Sequence, residues 1–366
     1  MRSHVSFISI LALVVICVSC GGGGGGGGGG DDDDDGGGGS VDTNQPLAIT
    51  SSNAPAVTGL VVDTVGGGIT VGSLGTVVIA SVDSAGGSGF EFNLLHVTQD
   101  AVDRVWAMHQ QGTLAVADVS AAQVPESVEC SIAGTVNAIW RDAAPIGELS
   151  ERDSIILNFN SCVEEDLTLN GGMDVGILDL VGDPSIDLSW TVVFRLNFNS
   201  LTASDGGATV EVVGSLDATV DTQATGAVVT DITTEVSTGP GSTVSSFLYF
   251  GEGVDFTELT LYSASFQENT DGSFAVSGQG TLESSLIGGT VTFETTQEVT
   301  GTGFDVDNPS AGEMLIVGAA NSSVLLRILD SVFVELDLDD EGDGFDTGDV
   351  TLPSSWGELD AAVDAL

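Results

Sequence analysis

Acids fall at alternate positions near the C-terminal end of the chain, where chemistry is easiest to picture. Counted from Asp339, Glu341 is third, Asp343 fifth, Gly344 sixth and Phe345 seventh, with Asp346 and Asp349 following. A chain that turns at glycine brings alternate oxygens toward one centre. Carboxylate and carbonyl oxygens are hard ligands, and Ca2+ takes six to eight of them. The competing reading is a solvated acidic turn between a strand over 332–338 and a C-terminal helix. Either way the role is structural, pinning the tail. Other chemistry is thin. The histidines are His4, His96 and His109, and the chain holds no Gly-x-Ser-x-Gly, no His-x-x-x-His and no phosphate loop. Paired carboxylates serve glycosidases, but among 54 acids close pairs arise by abundance alone. Trp106, Trp140, Trp190 and Trp356 are expected in the core rather than along a ligand groove. No catalytic residue is nominated.

Two resemblances attach to these residues. The Asp339 stretch resembles the Asp-x-Asp-x-Asp-Gly calcium loops of EF-hands and related bacterial repeats. Glu341 replaces the usual Asp or Asn, and Val350 stands where the bidentate Glu belongs, so Asp346 or Asp349 would have to close the shell. At the other end, Arg2 precedes an apolar run from Phe7 to Val18, too short to cross a bilayer comfortably and suited to a signal peptide. The run ends Cys17-Val18-Ser19-Cys20, which resembles the lipobox of bacterial lipoproteins, with Cys17 where leucine is usual. The resemblance implies cleavage before Cys20 and covalent lipid on that cysteine, whose two or three acyl chains would anchor firmly. Gly21 is not the aspartate that retains such proteins at the inner membrane, so the outer membrane of a Gram-negative bacterium is implied, facing either the periplasm or the outside.

With Cys17 removed and Cys20 acylated, Cys130 and Cys162 form an even pair in an oxidising compartment, and a disulfide is expected. Closing a loop of about 30 residues contributes roughly 3–4 kcal/mol in the chain-entropy model.

The charge balance narrows the partners. Six cations, all arginine, face 54 acids, for a net charge of -48. Such a surface repels phosphate backbones, so no nucleic-acid partner is expected. It also self-repels at low salt, which fits a saline habitat.

These residues must be placed by a body that begins after a tether. Gly21–Gly30, Asp31–Asp35 and Gly36–Gly39 cannot build a core, and from Gly21 to about Ser52 the chain reaches roughly 30 Å as flexible coil. The divisions are a signal peptide over 1–19, a lipidated tether over 20–56 and an acidic β-rich domain over 57–366. Within the domain, 57–127 reads as a mixed part with strands over 58–82 and a helix over 93–111. Residues 128–338 read as repeated hairpins, and 339–366 as the acidic loop and a helix. Asn158-Phe159-Asn160-Ser161 recurs as Asn197-Phe198-Asn199-Ser200, and Gly214-Ser215-Leu216-Asp217 is echoed by Gly280-Thr281-Leu282-Glu283. Repeats of this kind predict a mainly β body: one large antiparallel curled sheet, barrel-like or half-barrel, with a two-sheet sandwich second. Ser355 and Glu358 have capping-box spacing, and Leu359, Val363 and Leu366 share one face of the helix that follows.

The expected function is a non-enzymatic envelope module, structural or adhesive, bound to the membrane through its lipid and stiffened by Ca2+. A carrier of lipid or another hydrophobic ligand is the alternative, and an envelope glycosidase the second alternative. A filled interior favours the first, a deep apolar pocket the second, and a convergent carboxylate pair in a cleft the third.

Overall fold

A computed structural model describes residues 43–72, 117–118, 126–142, 150–164, 167–182, 187–204, 207–226, 228–250, 253–302, 309–345, 350–363 and 365–366. Its first element is helix α1 (Ala54–Gly72). Strands follow as β1 (Ala117–Asp118), β2 (Glu126–Glu129), β3 (Ala133–Asp142), β4 (Ser154–Glu164), β5 (Leu167–Val181), β6 (Trp190–Ser204), β7 (Ala208–Thr225) and β8 (Val228–Ser237). The second half holds β9 (Thr243–Phe250), β10 (Gly253–Asn269), β11 (Ser273–Ser284), β12 (Gly289–Thr302), β13 (Ala311–Val317), β14 (Ser323–Ile328), β15 (Phe333–Asp339) and β16 (Val350–Ser355), then helix α2 (Trp356–Val363).

All sixteen strands join one hydrogen-bonded sheet. It is mainly antiparallel, with β1 parallel to β3, and it is an open sheet, neither a closed barrel nor a two-sheet sandwich. Most strands pair with their sequence neighbours, as hairpins separated by short turns require. One departure is informative. β8 and β9 lie end to end in a single slot between β7 and β10. They form one long strand interrupted by Thr238–Ser242, whose Gly239-Pro240-Gly241 cannot continue a ladder.

The sheet bends along a line of β-bulges. Ser161, Ser200 and Leu261 adopt φ of 47°, 51° and 51°, each where the register slips. Each precedes a fully buried residue, Cys162, Leu201 and Tyr262 respectively. A Cβ on Gly134 or Gly171 would overlap the carbonyl oxygen of Ser161 or Ser200. The Asn-Phe-Asn-Ser repeat is therefore a bend device: Phe159 and Phe198 fill the core, and the serine turns left-handed against a glycine of the neighbouring strand.

Helix α1 covers the inner face of β7, β8, β10, β11, β14 and β15, and α2 packs against it. Residues 58–82 were expected to form strands on the strength of their β-branched runs, but α1 occupies 54–72. Asn53 precedes it with its amide pinned to Thr50 N and Ala48 O, and Pro55 sits in the first turn, where no N–H is needed. Val57, Leu60, Val61 and Val65 are buried, as are Thr58 and Thr64. A helix buried on this many sides carries no amphipathic stripe to betray it. α1 crosses α2 at Gly59, where a Cβ would lie 2.5 Å from Val363 Cγ2 and 3.0 Å from the Leu359 carbonyl oxygen. The helix expected over 93–111 lies outside the described residues.

The body also begins earlier than residue 57. Thr43 to Asn53, assigned above to the tether, are packed onto the sheet. Leu47 N donates to Thr290 O at 2.9 Å, Thr290 N to Gln45 O at 3.0 Å, and Ala319 N to Leu47 O at 2.7 Å. Ile49 is buried, and its N–H donates to Ser322 Oγ. Gly318 leaves room for this strap, since a Cβ there would overlap Leu47 O. The prolines and polar residues that suggested a tether instead follow an edge that a short extended segment can complete.

Candidate functional site

The acidic turn leaves β15 at Asp339 with its brace already built. Asp339 is 3% exposed, its Oδ1 accepts from Gly342 N at 2.7 Å and its Oδ2 from Gly344 N at 2.8 Å. Both glycines are left-handed, with φ of 74° and 98°. A Cβ on Gly342 would overlap the carbonyl oxygen of Ala320, which packs the turn against the β13–β14 connection. The first acid of the calcium-like series thus organises the loop from within. Glu341, Asp343 and Phe345 are exposed. Asp346 and Asp349 lie outside the described residues, as does Cys20. Among the described residues no group of three or more His, Cys, Asp or Glu side chains is gathered in metal-binding geometry.

Cys130 and Cys162 form the expected disulfide, with Cα atoms 5.5 Å apart. It joins the end of β2 to the residue that follows the Ser161 bulge, so the covalent link locks the first bend of the sheet. Both cysteines are buried.

Charge on the solvent face is handled locally. Arg195 makes a two-toothed contact with Asp217, Nε to Oδ1 at 2.6 Å and Nη2 to Oδ2 at 2.8 Å, and this carboxylate raises the guanidinium pKa. Arg327 lies among Glu313, Glu335 and Asp337, across three strands. Among the described antiparallel registers one sets acid against acid, Glu258 opposite Glu283. Each carboxylate accepts from a hydroxyl: Ser245 Oγ donates to Glu258 at 2.8 Å, and Thr43 Oγ1 to Glu283 at 2.7 Å. This pair lay beyond sequence reasoning, because its members are 25 residues apart and the strap's role was unread.

The remaining candidates sort simply. Trp140, Trp190 and Trp356 are buried core residues, while Trp106, His96 and His109 fall outside the described residues. A shallow cleft of about 360 Å³ opens on the solvent face beneath the exposed Leu261. No helix among the described residues is long and apolar enough to cross a membrane. No protein family, curated protein or solved structure matches this chain.

Proposed function

We propose that this protein is an envelope lipoprotein, held by acyl chains on Cys20 to the outer membrane of a Gram-negative bacterium. In this reading its acidic β body is a non-enzymatic structural or adhesive module. The observation that carries the reading is the filled interior. The inner face of β7, β8, β10, β11, β14 and β15, which a carrier would use for cargo, is covered by α1, with α2 packed against it, and Val57, Leu60, Val61, Leu359 and Val363 are buried in the core. Among the described residues, a body built this way presents its solvent face rather than a cavity.

The disulfide fits an oxidising compartment. The strap fits an anchored module, because the chain arriving from Cys20 is fastened to β12 and the β13–β14 connection before entering the core. Stiffening by Ca2+ at the 339–349 turn belongs to the same reading, and the membrane is its partner through lipid alone.

The test is metabolic labelling with radioactive palmitate in wild type and Cys20→Ser. Label in the first and none in the second, with the variant released from the membrane fraction, is expected. Unlabelled wild type, or a variant that matures and fractionates unchanged, overturns the anchor. Mass spectrometry of lipid co-purifying with the unanchored body tests the filled interior: a stoichiometric hydrophobic ligand overturns the non-carrier assignment.

A further inference from the structure

The three bulges that bend the sheet permit an internal comparison. At two of them the left-handed residue is serine, Ser161 and Ser200, which shows that a small polar side chain suffices for the bend. At the third it is Leu261, with the same φ of 51° as Ser200 and 74% exposure. A leucine in left-handed conformation costs about 1–2 kcal/mol, and its largely exposed side chain recovers little of that against the described residues. The described fold does not account for a leucine at this position.

Its surroundings indicate what. The strand registers run one solvent-side row across five strands: Gln279 opposite Glu294, Glu294 opposite Leu315, Leu315 opposite Leu325 and Leu325 opposite Asp337. Leu261 overhangs the start of this row, and the cleft beneath it reaches Gln279, Glu294, Leu315 and Val317. Leu261, Leu315, Val317 and Leu325 thus make an apolar strip, with Glu294 and Asp337 in the row and Glu313 two residues from Leu315. An apolar centre inside a charged rim is the layout of a protein interface. Arg327 pairs with Glu313, Glu335 and Asp337, but with Glu294 these make four acids around one cation, so the rim stays acidic, and the whole chain carries a net charge of -48 without a single lysine. A second copy would bring acid to acid, whereas a basic partner would complement the rim.

We infer that Leu261 and the strip Leu315–Leu325 form a docking surface for a protein segment that presents apolar side chains flanked by lysine or arginine. This extends the adhesive reading by naming the surface and the partner's chemistry. It is tested on the unanchored body, so failure here leaves the anchor untouched and failure of the anchor leaves this intact.

The probes are short fluorescent peptides, one alternating leucine with lysine and one alternating serine with lysine, titrated by anisotropy at near-physiological salt. Leu261→Ser is the informative variant, because serine already serves in the two sister bulges and the fold is retained. The leucine peptide is expected to bind wild type about tenfold more tightly than Leu261→Ser, the worth of one buried side chain. A second variant, Leu315→Ser, is expected to weaken it similarly, while the serine peptide binds all three proteins alike. Equal binding of the leucine peptide to wild type and both variants overturns the surface. Self-association of the wild-type body that Leu261→Ser abolishes, measured by analytical ultracentrifugation, overturns the partner in favour of a second copy.

Discussion

Replacing Asp339 by asparagine tests whether the acidic turn is braced by its own backbone. The substitution keeps shape and removes charge. The Asp339 carboxylate meets two N–H donors, Gly342 at 2.7 Å and Gly344 at 2.8 Å, one per oxygen. An asparagine has one oxygen, so one donor is left facing an amide nitrogen. A hydrogen bond to a charged acceptor is worth about 1.5–3 kcal/mol, and the site is buried, so a loss of about 2 kcal/mol is expected. With a urea slope of about 3 kcal/mol/M, the midpoint falls by roughly 0.7 M. Circular dichroism during urea titration, with the disulfide intact, reads this directly. Asp343→Asn is the control, since Asp343 is exposed and its change should stay within about 0.5 kcal/mol. The experiment is run in chelator and again in millimolar calcium. The same loss in both conditions is expected. A variant as stable as wild type in chelator, yet weaker once calcium is added, refutes the brace and makes Asp339 an ion ligand first.

Three further outcomes are expected. Gly171→Ala meets both a left-handed φ of 96° and the Ser200 carbonyl, whereas Gly226→Ala meets only a φ of 69° in open space. The first should cost more than about 3 kcal/mol and the second about 1–2, and equal thermal shifts for the two would show that the bulge does not depend on close approach. Replacing Cys130 and Cys162 together by alanine should cost roughly 3–4 kcal/mol in urea titration, and an unchanged midpoint would mean that the first bend is held without its covalent link. Raising sodium chloride from about 0.01 M to about 1 M shortens the screening length from about 30 Å to about 3 Å, so the melting temperature should climb steadily, and a flat profile would show that the acids on the sheet do not oppose folding.

How much was legible follows from how local each signal was. The α2 cap was readable because Ser355 and Glu358 are three residues apart, and the structure forms it: Glu358 N donates to Ser355 Oγ at 3.3 Å and the two side chains bond at 3.1 Å. Leu359 and Val363 are buried as their spacing required, while Leu366 lies past the helix end and is exposed. The Asn-Phe-Asn-Ser repeat was visible, but its meaning was not, because the glycines that make room for Ser161 and Ser200 stand on neighbouring strands. Helix α1 was misread as strands for a related reason. Its Val-rich, Gly-containing sequence favours extended chain locally, and burial between the sheet and α2 overrides that preference. The acidic turn gave its ligand-like spacing truthfully, yet spacing does not say whether a carboxylate points out to an ion or back to its own chain, and Asp339 points back.

The strap at Thr43–Ile49 sets a rule for shedding. On the anchored reading proposed above, a protease that frees the body from its membrane must cut upstream of Thr43 to leave the strap in place. A nick a few residues later strips the rail from Thr290 and Ser322 and uncovers the mouth of α1. Release and destruction would then be separated by less than a dozen peptide bonds, and the position of the scissile bond alone would decide which of the two a cell performs.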